Sequence, residues 1–227
     1  MRTAAILPVK RFSRAKQRLG ASVTDPLRQR LAHAMLADVL LALAQSASIE
    51  RTIVVTRERE AAAAAREHGA SVLEDEAERG QPAAAALGVR LAMAEGFERV
   101  LCVPGDCPAL DPAELDALLQ APSDERAVVI VPDRHGTGTN GLLLSPPDAI
   151  APSFGAGSCE RHHALALAAG VPCRVERLPS LLLDIDTGAD LEALRERLRG
   201  QDGRAVCTRA ALGRPERPRM LSLASPA

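Results

Sequence analysis

The sequence predicts a single α/β domain with a mostly parallel central sheet and helices on both of its faces. Short apolar runs alternate along the chain with longer stretches of helical periodicity. Apolar runs without polar alternation are typical of strands buried on both faces of a sheet. The length of 227 residues fits one such domain. We place it at residues 1–199 and predict a poorly ordered tail over 200–227, where Arg, Pro, Gly and Ser dominate.

Each predicted strand is a short run rich in Val, Ile, Leu or Ala, bounded by turn residues or charges. Each predicted helix begins or ends at a recognisable capping residue, such as the Asp25-Pro26 start, the Asp111-Pro112 start or the Thr187 to Asp190 capping box. The strands are predicted at 4–9, 52–56, 71–73, 99–103, 127–131, 141–144, 174–178 and 181–185. The helices are predicted at 25–45, 57–68, 82–95, 111–119, 159–169 and 187–199.

The composition argues against several classes of function. A net charge of −1 is unlike that of a general nucleic-acid binder, and the 1% aromatic content leaves little for stacking bases. Five cysteines at irregular spacing indicate free thiols in a reducing cytosol rather than a disulfide framework. The free thiols lead us to expect a cytoplasmic protein. Because the chain has no apolar run of about 20 residues, we expect no segment that spans a membrane and no membrane partner.

A lone carboxylate, Asp106, follows the apolar run 99–103 directly after Pro104-Gly105. Open α/β sheets place metal ligands at the carboxyl ends of their strands. A strand-end Asp also often caps a turn or helix, but here Asp111 is placed to cap the next helix. We therefore interpret Asp106 as a candidate ligand for a divalent cation, which would suit a protein that handles a nucleotide.

A second acidic motif, Asp184-Ile-Asp186, follows three leucines. Carboxylates at positions i and i+2 of extended backbone face the same way. Together with Asp106, one or both could complete a Mg²⁺ site, since Mg²⁺ prefers a few carboxylates plus phosphate oxygens. The alternative is that one of them only supports the helix start at Thr187.

A basic loop after the first strand carries five cations in the nine residues 10–18. Lys10 and Lys16 are the candidates to bind triphosphate oxygens, the alternative being a solvated loop. Because the loop lacks the Gly-Lys-Ser/Thr ending of a P-loop, the sequence argues against a Walker-type ATPase.

Two glycine-rich segments, 136–141 and 154–158, could approach an anion through backbone and hydroxyl groups, although most glycine-rich turns are only turns. Ser158 lies at a predicted helix start, where anions bind readily. His162 and His163 are adjacent on a helix and so do not face each other, which favours a surface or supporting role. Cys102 and Cys107 flank Asp106 without a catalytic partner, and we expect them to pack in the core.

These motifs occur in the order of a known family, over about residues 1–199. The sequence resembles the 2-phospho-L-lactate guanylyltransferases, including their bacterial phosphoenolpyruvate guanylyltransferase branch. The resemblance implies the three-layer, Rossmann-like nucleotidyltransferase fold that molybdenum-cofactor and sugar nucleotidyltransferases share. The matching segments are Pro8-Val-Lys10 with Ala15-Lys16 and Arg18-Leu19, Val103-Pro-Gly-Asp-Cys-Pro-Ala-Leu110, Gly136-Thr-Gly-Thr-Asn140, Phe154-Gly-Ala-Gly-Ser158 and Asp184-Ile-Asp-Thr187.

The resemblance further implies a GTP-dependent step in the biosynthesis of the deazaflavin coenzyme F-420. In that step a phosphorylated three-carbon acid attacks the α-phosphorus of GTP and pyrophosphate leaves. By the same resemblance, Thr139, Gly155 and Ser158 would bind phosphoenolpyruvate, and Asp106 with an Asp of the 184–186 pair would bind Mg²⁺. Asp106 and Lys16 are the predicted catalytic residues.

Two adjacent positions, Gln81 and Pro82, depart from the family pattern. Gly80-Gln-Pro82 stands where relatives usually have Gly-Leu-Asn. We expect Gly80 to lie at the nucleotide, with Gln81 or nearby backbone replacing the missing Asn.

Four alternatives remain open at this stage. The acceptor could be 2-phospho-L-lactate, 3-phosphoglycerate or a molybdopterin-type cofactor, or the chain could be a non-catalytic nucleotide-binding regulator. The sequence also allows a homodimer, because the face that carries Leu36, Leu40 and Leu43 could be either core or interface.

Overall fold

The fold is built on a seven-stranded sheet of order β3-β2-β1-β4-β6-β5-β7. The computed structural model describes residues 1–14, 16–122, 124–199 and 203–213. β6 runs antiparallel to both β4 and β5, and all other neighbours pair in parallel. The prediction of a mostly parallel sheet is confirmed. The strands are β1 (Thr3–Val9), β2 (Arg51–Thr56), β3 (Ser71–Glu74), β4 (Arg99–Cys102), β5 (Ala127–Pro132), β6 (Thr139–Ser145) and β7 (Cys173–Val175).

Helices cover both faces of the sheet and complete three layers. α1, α2 and α4 pack on one face, α3 and α5 on the other, and α6 and α7 lie against the outer side of α1. Two short 3₁₀ turns, Phe12–Arg14 and Gln17–Ala21, connect β1 to α1. The helices are α1 (Asp25–Gln45), α2 (Arg59–Glu67), α3 (Gln81–Ala94), α4 (Pro112–Gln120), α5 (Ser158–Ala168), α6 (Gly188–Leu198) and α7 (Val206–Gly213).

α1 is the central helix of the core. Leu36, Leu40 and Leu43 are each 1% exposed and pack against the sheet, so this face is core and not an interface. The opposite face of α1 is also buried, through Leu31 and Met35 against α6 and α7. A fully buried leucine contributes about 1.5–3 kcal/mol, so α1 stabilises both layers that it touches.

α3 approaches the sheet closely through a glycine. A Cβ atom at Gly88 would overlap the side chain of Ile6 and lie 3.0 Å from that of Val55. Only a residue without a side chain lets the helix sit this close to β1 and β2. The N-terminal end of α3 is thereby fixed beside the carboxyl end of β1.

The predicted strand at 181–185 is not a strand, and the strand predicted at 174–178 is shortened to Cys173–Val175. β7 already occupies the edge of β5, so segment 181–185 has no strand partner there. Two of its backbone groups form hydrogen bonds with residues of other segments. Leu181 O accepts from Asn140 Nδ2 at 2.7 Å, and Ile185 N donates to Asp106 O at 3.2 Å. The segment therefore runs across the end of the sheet instead of within it.

The prediction of a poorly ordered tail does not hold for residues 203–213, which contain α7. A buried carboxylate of α1, Asp38, caps this helix. Its Oδ1 accepts from Cys207 N at 2.9 Å, and its Oδ2 accepts from Thr208 N at 2.8 Å and from Thr208 Oγ1 at 2.6 Å. The sequence signal was one acidic residue within an apolar stretch of α1. Residues 200–202 and 214–227 lie outside the described residues.

The structure bears on two expectations drawn from composition, namely that the cysteines are free thiols and that no segment spans a membrane. All five cysteines are free, and Cys102 and Cys107 are buried in the core as predicted. Burial raises the pKa of the Cys102 thiol to about 12, which makes it unreactive near neutral pH. Within the described ranges, no helix combines the length and the apolar character needed to cross a membrane.

We predict that Asp38→Ala destabilises the protein by roughly 1–3 kcal/mol, because buried donors of α7 lose a charged acceptor. Urea unfolding followed by circular dichroism measures the change. Asp148→Ala, at an exposed position, is the control and should stay within about 0.5 kcal/mol of the parent. Equal stability of the two variants would contradict the capping role of Asp38.

Candidate active site

A cleft of about 680 Å³ lies beyond the carboxyl ends of β1 and β4. Open α/β sheets bind ligands at this edge. β6, which runs the other way, begins there, so the β5–β6 connection also reaches the cleft. Most of the site residues predicted from the sequence line it. They are Lys10, Lys16, Asp106, Thr139, Gly155, Ser158, Asp184 and Asp186.

Three carboxylates meet at the floor of the cleft. One oxygen from each of Asp106, Asp184 and Asp186 lies within 4.8 Å of the others. Asp106 follows β4, and the segment with the other two is held beside it by the hydrogen bond from Ile185 N to Asp106 O. The structure therefore brings together the acidic residues that the sequence predicted to converge, although the 184–186 segment is not part of the sheet.

Lys16 reaches into this carboxylate cluster. Its Nζ donates to Asp186 Oδ1 at 2.7 Å and to Asp106 Oδ2, and its side chain is 9% exposed. Its backbone has a φ of 56°, the left-handed region that non-glycine residues adopt at some cost. Burial alone would lower the pKa of Lys16, but the carboxylates of Asp106 and Asp186 outweigh it and raise the pKa. Lys16 is thus held as a cation.

The carboxylate cluster has oxygen atoms that do not accept a hydrogen bond from Lys16. Asp106 Oδ1 is buried and has no hydrogen-bond partner among the described residues. Burial, together with the negative charge of Asp106, raises the pKa of Asp184 to about 6. An unpartnered buried oxygen and a carboxylate that is costly to ionise both indicate missing positive charge. Carboxylate oxygens are what a hard divalent cation such as Mg²⁺ prefers, so the donor set fits such an ion.

The first residues of β6 contact segments on both sides of the cleft. Thr139 pairs with Pro132 and Gly141 with Val131, which leaves Asn140 as the extra residue of a β-bulge. Asn140 Nδ2 donates to Leu181 O at 2.7 Å and to Asp184 Oδ1 at 3.2 Å. Asn140 thereby fixes the segment that carries two of the acidic residues.

The glycine-rich loop before α5 forms the other wall. Gly155 and Gly157 have φ values of 120° and 69°, which the loop needs in order to turn into the helix. Ser158 is the first residue of α5 and is 1% exposed. Ser158 N already donates to Gly155 O, and Cys159 N to Thr137 O. Side-chain hydroxyls are therefore the more available donors here.

Of the residues predicted to bind the nucleotide, Lys10 and Lys16 line the cleft and Gly80 does not. Lys10 is exposed on the cleft wall, whereas Lys16 is engaged with the carboxylates. Gly80 caps α3 with a φ of 100° and does not itself line the cleft. The lining residue is its neighbour Gln81, one of the two residues that depart from the family pattern.

Sequence reasoning missed Arg134. Its Nη2 lies 2.6 Å from Asp190 Oδ1 in the cleft wall. Asp190 Oδ2 accepts from Asp186 N at 3.1 Å and from Thr187 N at 2.7 Å, so the predicted capping box is present. Burial would raise the pKa of Asp190, but these hydrogen bonds and Arg134 lower it. Only the capping box was visible in the sequence, because Arg134 joins it through tertiary contact.

The two histidines differ in their surroundings. His163 is exposed, whereas His162 is fully buried and its Nδ1 lies 3.0 Å from Thr139 Oγ1. The expectation that the two do not act as a pair agrees with this arrangement. The contact of His162 with a predicted site residue was not predictable from helical spacing.

Comparison with known proteins gives consistent matches over most of the chain. The family model described as "Guanylyl transferase CofC like" matches residues 3–206. A phosphoenolpyruvate guanylyltransferase of Conexibacter woesei is 50% identical over 213 residues, which cover 93% of this chain and 96% of that protein. A 2-phospho-L-lactate guanylyltransferase of Methanothermobacter thermautotrophicus is 35% identical over 191 residues, which cover 84% and 83% respectively.

The fold is also found in solved structures. A nucleotidyl transferase from Methanothermobacter thermautotrophicus superposes with a TM-score of 0.65 at 22% sequence identity. The match covers 88% of this chain and 99% of that one. The predicted nucleotidyltransferase fold is confirmed.

We predict that Asp184→Asn stabilises the metal-free protein at pH 7.5 by roughly 1–3 kcal/mol. The pKa of Asp184 is raised from 3.8 to about 6 in the folded state. Ionisation of this group therefore lowers stability as the pH rises from about 4 to about 6, and the loss stays constant at higher pH. The gain should shrink on acidification and vanish below about pH 4, where the carboxyl is protonated in both states.

Urea unfolding in chelator-treated buffer between pH 4 and 8 measures this difference. Asp148→Asn, at an exposed position, is the matched control and should track the parent at every pH. A gain that stays constant with pH, or a loss at pH 7.5, would contradict the charge imbalance inferred at the carboxylate cluster.

Proposed function

The chain belongs to the family of CofC-like guanylyl transferases, and on that premise we propose that it transfers GMP from GTP to phosphoenolpyruvate. The observation that carries the proposal is the juxtaposition in one cleft of a carboxylate cluster and a hydroxyl-lined loop. A metal–triphosphate and a small phosphorylated acid would need these two surfaces side by side. The relative that is 50% identical, named for this reaction, supports the same acceptor.

The proposed reaction is a displacement at phosphorus. A phosphate oxygen of the acid attacks the α-phosphorus of GTP, the bond from that phosphorus to the oxygen bridging to the β-phosphorus breaks, and pyrophosphate leaves. The second pKa of a phosphate monoester is about 6, so the nucleophile is already ionised at neutral pH. A Ser-His or Cys-His pair is not needed, and burial raises the pKa of the Cys107 thiol well above its ordinary value.

We propose Mg²⁺ as the cofactor, held by Asp106 together with Asp184 and Asp186. When bound, the ion supplies positive charge to the phosphate oxygens of the nucleotide. Asp106 would hold the ion through its unpartnered Oδ1, while Lys16 keeps the remaining carboxylate charge balanced. These two residues are the proposed catalytic pair.

The substrates are assigned to opposite walls of the cleft. We propose that Thr139, Gly155 and Ser158 bind the acid through hydroxyl and backbone groups. Lys10 and Lys16 would bind the triphosphate. Gly80 would act on the nucleotide by placing Gln81, which lines the cleft and whose side chain forms no hydrogen bond with other described residues. This last assignment replaces the direct contact that the sequence predicted for Gly80.

The proposal includes a biological setting. We infer that the product enters coenzyme F-420 biosynthesis in the cytoplasm. The five free cysteines suit a reducing compartment.

We predict that the purified protein releases pyrophosphate from GTP when Mg²⁺ and phosphoenolpyruvate are both present. A coupled pyrophosphate assay should give the highest kcat/KM with phosphoenolpyruvate among that acid, 2-phospho-L-lactate and 3-phosphoglycerate. Removal of Mg²⁺ by EDTA should abolish the activity. Asp106→Asn should lower kcat by about 100-fold or more, since metal-assisted charge stabilisation supplies several kcal/mol.

The same assay separates the alternatives. A higher kcat/KM with another acid would change the acceptor but keep the enzyme class. GTP binding by calorimetry without turnover of any acid would instead indicate a regulator. Unchanged turnover by a folded Asp106→Asn variant would refute the metal role of Asp106.

We predict that Ser158→Ala raises the KM for the acid roughly 10-fold or more, because a hydrogen bond to a charged group is worth about 1.5–3 kcal/mol. The KM for GTP should change less than about twofold. Ser71→Ala, on β3 and away from the cleft, is the control. An effect on GTP alone, or equal effects on both substrates, would place the wrong ligand at this loop.

A further inference from the structure

His162 makes two hydrogen bonds deep inside the protein, and neither belongs to ordinary helix packing. Its residue exposure is 0%. Ser153 N lies 2.8 Å from His162 Nε2, and Thr139 Oγ1 lies 3.0 Å from His162 Nδ1. The ring also packs edge-on against Phe154, with centroids 5.2 Å apart.

These partners determine which nitrogen carries the proton. A backbone N–H can only donate, so Nε2 must accept from Ser153 and holds a lone pair. Burial, and to a smaller extent the charge of Arg161, lowers the pKa of His162 to about 4, so the ring is neutral at pH 7. A neutral imidazole with an unprotonated Nε2 carries its hydrogen on Nδ1. His162 Nδ1–H therefore donates to Thr139 Oγ1.

This assignment fixes the role of the Thr139 hydroxyl. Because Oγ1 accepts from the imidazole, its own hydrogen must point to another acceptor. The described residues provide no second partner for this hydroxyl, and Thr139 lines the cleft. An anionic group of a bound ligand is the chemistry that would accept this hydrogen.

We propose that His162 is a positioning residue that makes Thr139 an obligatory hydrogen-bond donor to the anionic acid substrate. The proposal rests on the proposed function, since it assigns Thr139 to the acid. His162 acts through Thr139 and does not itself touch the substrate.

The position of His162 in the fold strengthens the proposal. It lies four residues after Ser158, on the same face of α5, and its partner Ser153 lies two residues before Gly155. Arg161 holds the same loop, with Nη2 donating to Ser153 O at 3.0 Å. The imidazole thus links β6, the glycine loop and α5, the three elements that carry the proposed acid-binding residues.

A double-mutant cycle tests the proposal. His162→Phe keeps a buried ring but removes the donor, and it should raise the KM for phosphoenolpyruvate roughly 10-fold. The KM for GTP should stay within about twofold. In a Thr139→Val background, His162→Phe should add little further effect, because the hydroxyl that it orients is gone. His162→Asn, whose amide nitrogen can occupy the place of Nδ1, should recover part of the loss.

Three results would overturn the proposal: additive effects of His162→Phe and Thr139→Val, a parallel rise in the KM for GTP, or no recovery in His162→Asn. His163→Phe, at the exposed neighbour, is the matched control and should match the parent. Thermal unfolding of every variant checks that each is folded.

A second measurement needs no variant. The ¹⁵N chemical shifts of the imidazole in the wild-type protein report its tautomer directly, and a hydrogen on Nε2 would refute the assignment. The outcomes also separate this proposal from the proposed function. Absence of pyrophosphate release by the wild type with every acid refutes the function. An active wild type with an additive cycle refutes only the role of His162.

Discussion

Three carboxylates that converge within 4.8 Å require a cation, and the cleft is organised around that requirement. At an effective dielectric constant of 20, each such pair repels by about 3–4 kcal/mol. Lys16 offsets part of this repulsion by contacting two of the three. Burial, together with the negative charge of Asp106, still raises the pKa of Asp184, and Asp106 Oδ1 has no hydrogen-bond partner among the described residues. The metal-free protein is therefore short of positive charge at the carboxylate cluster, where we propose that Mg²⁺ binds.

The fold meets this requirement with groups that are distant in sequence. Lys16 and Asp106 follow β1 and β4, which are parallel neighbours, so their strands end at the same edge. The segment with Asp184 and Asp186 is different, because side chains and loop backbone hold it rather than a strand partner. Asn140 binds it on one side, and Asp190 binds it at its exit. Loss of either support would move carboxylates without unfolding the sheet.

The sequence predicted most of this arrangement, and the misses have physical causes. Asp106 was identifiable because Asp111 took the capping role, which is present in the structure. Asp184 and Asp186 were predicted to converge on the basis of a strand at 181–185, which is not formed. They converge nevertheless, because extended backbone outside a sheet also places positions i and i+2 on one side. α7 was not predicted, because the composition of residues 200–227 suggested a poorly ordered tail. Asp38, which caps the helix, lies some 170 residues earlier in the chain. The contacts of Arg134 and His162 are tertiary and leave no local pattern.

The start of β6 shows why the two halves of the cleft are coupled. Thr139 hydrogen-bonds to His162 in the α5 layer, and the next residue, Asn140, binds the acidic segment on the other side. Consecutive Cα atoms are about 3.8 Å apart, so a single peptide unit separates the residue that contacts His162 from the residue that contacts Asp184. A displacement reaction needs its nucleophile within about 3–3.5 Å of phosphorus, and small misplacements are costly. Under the proposed function, the bulge at Asn140 would therefore fix the positions of both substrates relative to each other.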